Sequence, residues 1–234
     1  GMLRFGFKVL TSGCRFSMFR YVMSEVMANL SNPSSGIIGS MVVAMMNDIN
    51  APSVRDIISR LHISQGDVIL EPCYGPGYGV EEILRYDSTR AIGIDISQPM
   101  LEVAQQLNAA AVQSGRAQLH LGEARAMPFL ADASVDKVVH MNCCYFWRPL
   151  NQTLAEFFRV LKPGGVMLTG TKFDAVAANA PYDAAGAFVT RDLEAYRAAL
   201  ASAGFEEVWS EEIHLASGCT GRNAKSGCHV DPRM

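Results

Sequence analysis

From Asp67 onward the chain alternates short β-like apolar runs with longer stretches whose apolar residues recur at helical spacing, and this alternation restricts the fold more than any other feature. Strands are predicted at VIL (68–70), AIGID (91–95), AQLHL (117–121), VDKVVHMN (135–142), GVMLTG (165–170) and EEVWSEEIHL (206–215). Helices are predicted between them, from about Val80 and over 98–113, 151–161 and 191–203. Ser97 is placed to cap a helix carrying Met100, Val103, Ala104, Leu107 and Ala111 on one face, with Gly115 past its end. Leu154, Phe157, Phe158 and Leu161 form a second stripe, stopped by KPGG (162–165). Such a repeat predicts a doubly wound α/β domain with a mostly parallel sheet, whose ligands sit at the carboxyl ends of strands near the switch point.

Ahead of this region, residues 27–63 are helical in tendency, broken by SNPSSG (31–36). Ser53 with Asp56 resembles a capping box, followed by Val54, Ile57, Ile58 and Leu61 at helical spacing. Residues 1–35 are read as an N-terminal extension. Gly1 ahead of Met2 is read as an expression scar, and Arg4, Lys8, Arg15 and Arg20 precede the first acid, Glu25. That bias suits a targeting segment, and non-native sequence upstream of a start at Met27 is the other reading. Residues 36–222 form the main domain and 223–234 a polar tail. Six cysteines without a C-x-x-C pair predict reduced thiols and no metal site, hence a cytoplasmic protein, with a mitochondrial one as the alternative. A net charge of -3 gives no pull toward nucleic acid, and no apolar run is long enough for a membrane span. The expected partner is a small-molecule acceptor, and the oligomeric state stays open.

The stretch VILEPCYGPGYGV (68–80) places Gly75, Gly77 and Gly79 between a strand and a helix, where backbone can approach a ligand closely. A pyrophosphate needs free N–H groups there, whereas Pro76 deletes one and Glu71 adds a carboxylate. Asp95 ends the next strand, where a ribose-binding acid would stand. A ligand with ribose, adenine and a cationic amino-acid end gains from both carboxylates, and S-adenosylmethionine is such a ligand.

With VILEPCYGPGYG, AIGIDISQPML, GEARAMPF, VDKVVHMNCCYFW and FFRVLKPGGVML in this order, residues from about Gly36 to Arg222 resemble the class I S-adenosylmethionine-dependent methyltransferases of the small-molecule type. The resemblance implies a Rossmann-like, doubly wound α/β fold with a mostly parallel seven-stranded sheet and an N-terminal helical cap. It implies that Glu71, Gly75 and Gly77, with Tyr74 in the same loop, surround the methionine portion of S-adenosyl-L-methionine. Asp95 would hold both ribose hydroxyls, Ile96 and Met100 would flank the adenine, and Glu123 with Ala124 would meet its amino edge. Asn142 and Tyr145 would lie near the transferred methyl. The chain departs from the family at Cys73, where glycine is usual, and at Pro72, so binding is expected to survive in weakened form.

Methyl transfer from a sulfonium is an in-line displacement that positioning alone can accelerate. Tyr145 and His140 are the candidate proton acceptors, although strand alternation sets His140 opposite Val139 and Met141, as a core histidine would be. The cap Gly36 to Asn50 and the insertion Thr171 to Thr190 would close the pocket, and their apolar content suits a largely apolar acceptor. An NAD(P)-binding oxidoreductase is disfavoured by Glu71, Pro76 and Val80. A non-catalytic scaffold that binds S-adenosylmethionine is the other alternative.

Overall fold

The computed structural model describes residues 50–179, 186, 188–190, 192–213 and 227–228. The extension 1–35, the expected cap up to residue 49 and the tail apart from 227–228 lie outside these residues. A helix α1 runs over 50–60. It is followed by β1 (Val68–Pro72), α2 (Tyr78–Ile83), β2 (Arg90–Asp95), α3 (Gln98–Leu107), α4 (Ala109–Gln113), β3 (Ala117–Leu121) and β4 (Val135–Met141). Then come a 3-10 turn at Cys144–Phe146, α5 (Leu150–Val160), β5 (Leu161–Gly170), α6 (Phe173–Asn179), α7 (Leu193–Ser202), β6 (Glu212–Ile213) and β7 (Gly227–Cys228).

Strands β1 to β5 form one parallel sheet in the order β3-β2-β1-β4-β5. The chain therefore builds outward from β1 to β3 and returns to the other side of β1 with β4. The resulting switch point, between β1 and β4, is where the connections part and leave a crevice above the strand ends. Strand alternation sends neighbouring residues into two cores. Ile69, Val139 and Leu168 meet Ile57 and Ile58 of α1, Leu61 just after it, and Val80 and Ile83 of α2. Leu70, Val138 and Met167 meet Leu154 and Phe157 of α5 and Tyr196 and Leu200 of α7. Covering both faces explains why these strands read as near-continuous apolar runs.

Several boundaries differ from the sequence reading. Among the described residues the main sheet has five strands where seven were expected, and β6 and β7 pair separately as an antiparallel ribbon. The expected strand over 206–215 is reduced to Glu212–Ile213 within the described residues, and Glu207 breaks the extended run with φ 51. Ser53 lies buried inside α1, so it caps nothing. The helix expected over 98–113 breaks at Asn108, whose Nδ2 donates to the carbonyls of Ala104 (3.0 Å) and Gly77 (3.1 Å). Strand β5 starts four residues early, because a register shift between Val135 and Lys137 absorbs Pro163 and Gly164. Among the described residues no helix is long and apolar enough to cross a membrane.

Candidate functional site

The glycine-rich turn after β1 is held by its own amides. Cys73 N donates to the Ile94 carbonyl (2.7 Å), Gly75 N to Asp95 Oδ2 (2.9 Å) and Gly77 N to the Tyr74 carbonyl (3.0 Å). Cys73, Gly75 and Gly77 all have positive φ, at 57, 54 and 88. For Cys73, where the resembled family has glycine, that conformation costs about 1–2 kcal/mol. Its sulfur in turn accepts a hydrogen bond from Trp147 Nε1 at 3.4 Å, which joins the turn to the segment after β4. Gly77 is tied to α3 by the amide of Asn108, and a Cβ there would lie 2.8 Å from both Ala104 Cβ and Asn108 Nδ2. Gly77→Ala combines left-handed strain with overpacking and is expected to lower stability by about 2–4 kcal/mol, measurable by urea unfolding.

Above this turn lies a cavity of about 660 Å³. Gly75, Asp95, Ile96 and Met100 line it from β1 and β2, Glu123 and Ala124 from the β3 side, and Asn142 from the tip of β4. The fold therefore brings together seven of the ten residues expected to hold the cofactor. Asp95 is 9 % exposed, and its oxygens accept from the backbone amides of Gly75 and Ser97, each at 2.9 Å. Burial raises its pKa, while the amides of Ser97, Gly75 and Ile96 oppose that rise. Ser97 starts α3 as expected, without a capping bond from its own side chain. Ile96 and Leu121, each 50 % exposed, and the buried Met100 share the cavity lining with Asp95. Glu123 is paired with Arg125.

Glu71, Tyr74 and Gly77 do not reach the cavity; they support its floor. Glu71 is 7 % exposed behind the turn, and a Cβ on Gly79 would come within 1.9 Å of its Oε1, so a side chain there would displace the carboxyl group. Its Oε2 is buried without a hydrogen-bond partner. Burial, aided by the charge of Asp95 and opposed by a hydrogen bond from the Val80 backbone, pushes the carboxyl pKa up to about 8. Tyr74 lies over Gly93, where a Cβ would be 2.5 Å from its Cδ1, and its hydroxyl donates to the His120 carbonyl at 3.4 Å.

The two candidate proton acceptors also stand away from the cavity. His140 is 1 % exposed on the α5/α7 face, with Nε2 bonded to Thr169 Oγ1 (2.8 Å) and Tyr196 OH (3.2 Å), and Nδ1 3.4 Å from Cys143 Sγ. Burial lowers its pKa to about 3, so it is a neutral core histidine. Tyr145 sets its ring edge-on to Phe146 and Phe188, and burial raises its hydroxyl pKa well above the usual value. Of the consecutive aromatics Tyr145, Phe146 and Trp147, the last two line the cavity. Asn50, the last residue of the expected cap, lines the cavity, whereas sequence reasoning missed Leu121, Met141, Cys143, Arg148 and Thr153. Leu121 and Met141 end β3 and β4, so the strand-end rule could have found them; the others arrive from loops and helix starts. Among the described residues no group of three His, Cys, Asp or Glu side chains suits a metal ion.

Residues 69–165 match a family described as a methyltransferase domain. The chain is 34 % identical over 109 residues to the uncharacterized methyltransferase YdaC of Bacillus subtilis, covering 46 % of this chain and 58 % of that protein. It is 33 % identical over 117 residues to the demethylmenaquinone methyltransferase of Symbiobacterium thermophilum, covering 47 % and 45 %. It thus spans about half the length of the curated relatives it matches. Among solved structures, geranyl diphosphate C-methyltransferase from Streptomyces coelicolor A3(2), in complex with Mg2+, geranyl diphosphate and S-adenosyl-L-homocysteine, superposes with a TM-score of 0.64. That pair is 12 % identical over 85 % of each chain, a likeness of fold alone.

Proposed function

We propose that this chain, whose residues 69–165 match a methyltransferase domain, is a class I S-adenosylmethionine-dependent methyltransferase that transfers a methyl group from S-adenosyl-L-methionine to a small, largely apolar acceptor. The observation that carries the reading is Asp95. It stands at the tip of β2 and lines the cavity together with the exposed apolar residues Ile96 and Leu121. Each oxygen already accepts one amide hydrogen bond and keeps a further lone pair, which suits the two hydroxyls of a ribose. Ile96, Leu121 and Met100 would then hold the adenine, while Glu123 and Ala124 stand at its edge.

The remainder of such a ligand extends over β1 and β4, where Cys73, Asn142 and Cys143 line the cavity. A dinucleotide is poorly served here, because the amides of Cys73, Gly75 and Gly77 are all occupied within the protein. The cofactor would supply a methyl group already activated by a positive sulfur. The chain's part is to align the acceptor and to exclude water, which Phe146, Trp147 and Met141 favour on the acceptor side. With His140 neutral in the core and Tyr145 packed among aromatics, positioning is the main lever of this protein's residues. Demethylmenaquinone, named for one similar protein, is a small molecule with an apolar body, which agrees with this lining.

Calorimetry with S-adenosyl-L-homocysteine tests the cofactor, and incubation with methyl-labelled S-adenosylmethionine plus a metabolite extract tests the acceptor. Binding together with label in a low-molecular-weight product is expected. Absence of heat with either nucleoside overturns the reading. Binding without transfer to any extract would favour the scaffold alternative.

A further inference from the structure

Strands β1 and β4 are neighbours in the parallel sheet, so the residues just past their ends emerge side by side at the switch point. Each of these ends carries a free thiol. Cys73 follows β1, is half-buried and lines the cavity; Cys143, two residues past β4, is buried and lines the same cavity. Cys143 Sγ is 3.9 Å from the carbonyl oxygen of Pro72, in the peptide unit whose nitrogen belongs to Cys73, and 3.4 Å from His140 Nδ1. Burial raises the Cys143 thiol well above its usual pKa, and a hydrogen bond with the Cys73 side chain raises it further. Cys144 turns away from this pair and donates to Thr171 Oγ1 at 3.7 Å.

The backbone that brings the two sulfurs together is strained on both sides. Cys73 has φ 57, and Cys143 follows Asn142 at φ 53, so two left-handed residues other than glycine serve this meeting. Glycine at position 73 would relieve the first of them, and strain that persists in this way collects at functional positions. Two adjoining thiols, one half-exposed at the cavity and one shielded, can do what neither does alone, which is to form a covalent bond that a reductant opens again.

We propose that Cys73 and Cys143 are a reversible oxidation site: hydrogen peroxide entering the cavity links their sulfurs in a disulfide, and the bridge closes the β1 and β4 side of the cavity to its ligand. Cys73 sulfur, on the open side, attacks one peroxide oxygen. The O–O bond breaks, the departing hydroxide leaves as water with the thiol proton, and Cys73 becomes a sulfenic acid. Cys143 sulfur then attacks Cys73 sulfur and displaces the hydroxyl, which leaves as a second water with the Cys143 proton, relayed by His140 Nδ1. The two thiols lose two electrons and the peroxide gains them. A small dithiol reverses the change by exchange. Exclusion of the ligand rests on the methyltransferase reading, in which the part of the cofactor beyond the nucleoside lies over these two residues; the bridge itself does not.

The full chain is treated with hydrogen peroxide, its remaining thiols are alkylated, and the unreduced proteolytic peptides are weighed by mass spectrometry. A peptide pair joining residues 73 and 143, and separated by dithiothreitol, is expected. Cys143 and Cys144 are adjacent and share a peptide, so variants assign the partner. Cys144→Ser should keep the bridge, whereas Cys143→Ser and Cys73→Gly, which suits the positive φ, should lose it. Should Cys143→Ser fail to fold, Cys73→Gly gives the same comparison. Calorimetry with S-adenosyl-L-homocysteine should find the oxidised wild type weaker by about tenfold or more and restored by dithiothreitol, with peroxide-treated Cys73→Gly within about threefold of its untreated form. Sulfinic acid at Cys73 without a linked peptide, a bridge to Cys144, or a bridge that leaves the affinity unchanged overturns the proposal. Failure of the reduced wild type to bind S-adenosyl-L-homocysteine overturns the methyltransferase reading and the exclusion with it, while the linked peptide still decides the oxidation site.

Discussion

Asp95→Ala is expected to weaken S-adenosylmethionine binding by about 10²–10³-fold, the largest effect of any single change in the cavity. Two hydrogen bonds to a charged acceptor contribute about 1.5–3 kcal/mol each, and each 1.4 kcal/mol is tenfold in affinity. The alanine also releases the amides of Gly75 and Ser97, so the turn after β1 and the start of α3 lose a shared anchor. Part of the measured loss would therefore come from disorder in the empty site. Asp95→Asn separates the two contributions, since it keeps the shape and one acceptor oxygen. It should hold the fold, lose about 10–50-fold in affinity, and show that loss with adenosine alone as well as with the full cofactor. Wild-type affinity in Asp95→Asn would remove the carboxylate from cofactor recognition.

Glu71→Gln is expected to change the pH dependence of stability more than any other substitution. The carboxyl is buried without a partner for Oε2, and its pKa is raised from 4.5 to about 8, chiefly by burial. The sign follows from proton counts. Between those two values the folded state holds a proton that the unfolded state has lost, so stability falls as pH rises. The contribution is fully present below pH 4.5 and lost by about pH 8. At 1.36 kcal/mol per unit the loss is on the order of 3–5 kcal/mol. Glutamine imitates the protonated acid and does not titrate. Urea unfolding from pH 5 to 9 should show a falling curve for the wild type and a flatter one for Glu71→Gln, with the variant the more stable at pH 9. Parallel curves would mean that the carboxylate is solvated in a way its burial does not suggest.

The strand-end carboxylates were legible in the sequence because they follow apolar runs that could only be buried parallel strands, and such strands place their last residues at one edge. What the two acids do was not legible. Asp95 ends β2 and lines the cavity, whereas Glu71 pairs with Gly93, two residues short of that tip, and lies behind the turn against Gly79. Strand alternation anticipated the core placement of His140, whereas Tyr145 faces Phe188, a residue 43 positions away that no local pattern points to. The engagement of Cys73 with Trp147, and of Asn108 with Gly77, likewise joins segments with no spacing in common.

By itself, then, the sequence determined the strand–helix repeat, the glycine turn and the acid at the tip of β2, since periodicity, glycine content and position along a strand are properties of neighbouring residues. Only the tertiary structure decided the five-stranded order among the described residues, the separation of Glu71 from the cavity and the unpaired carbonyl of Asn142. Those depend on which distant side chains come into contact and which are shut away from water, and both are settled when the sheet is covered on its two faces.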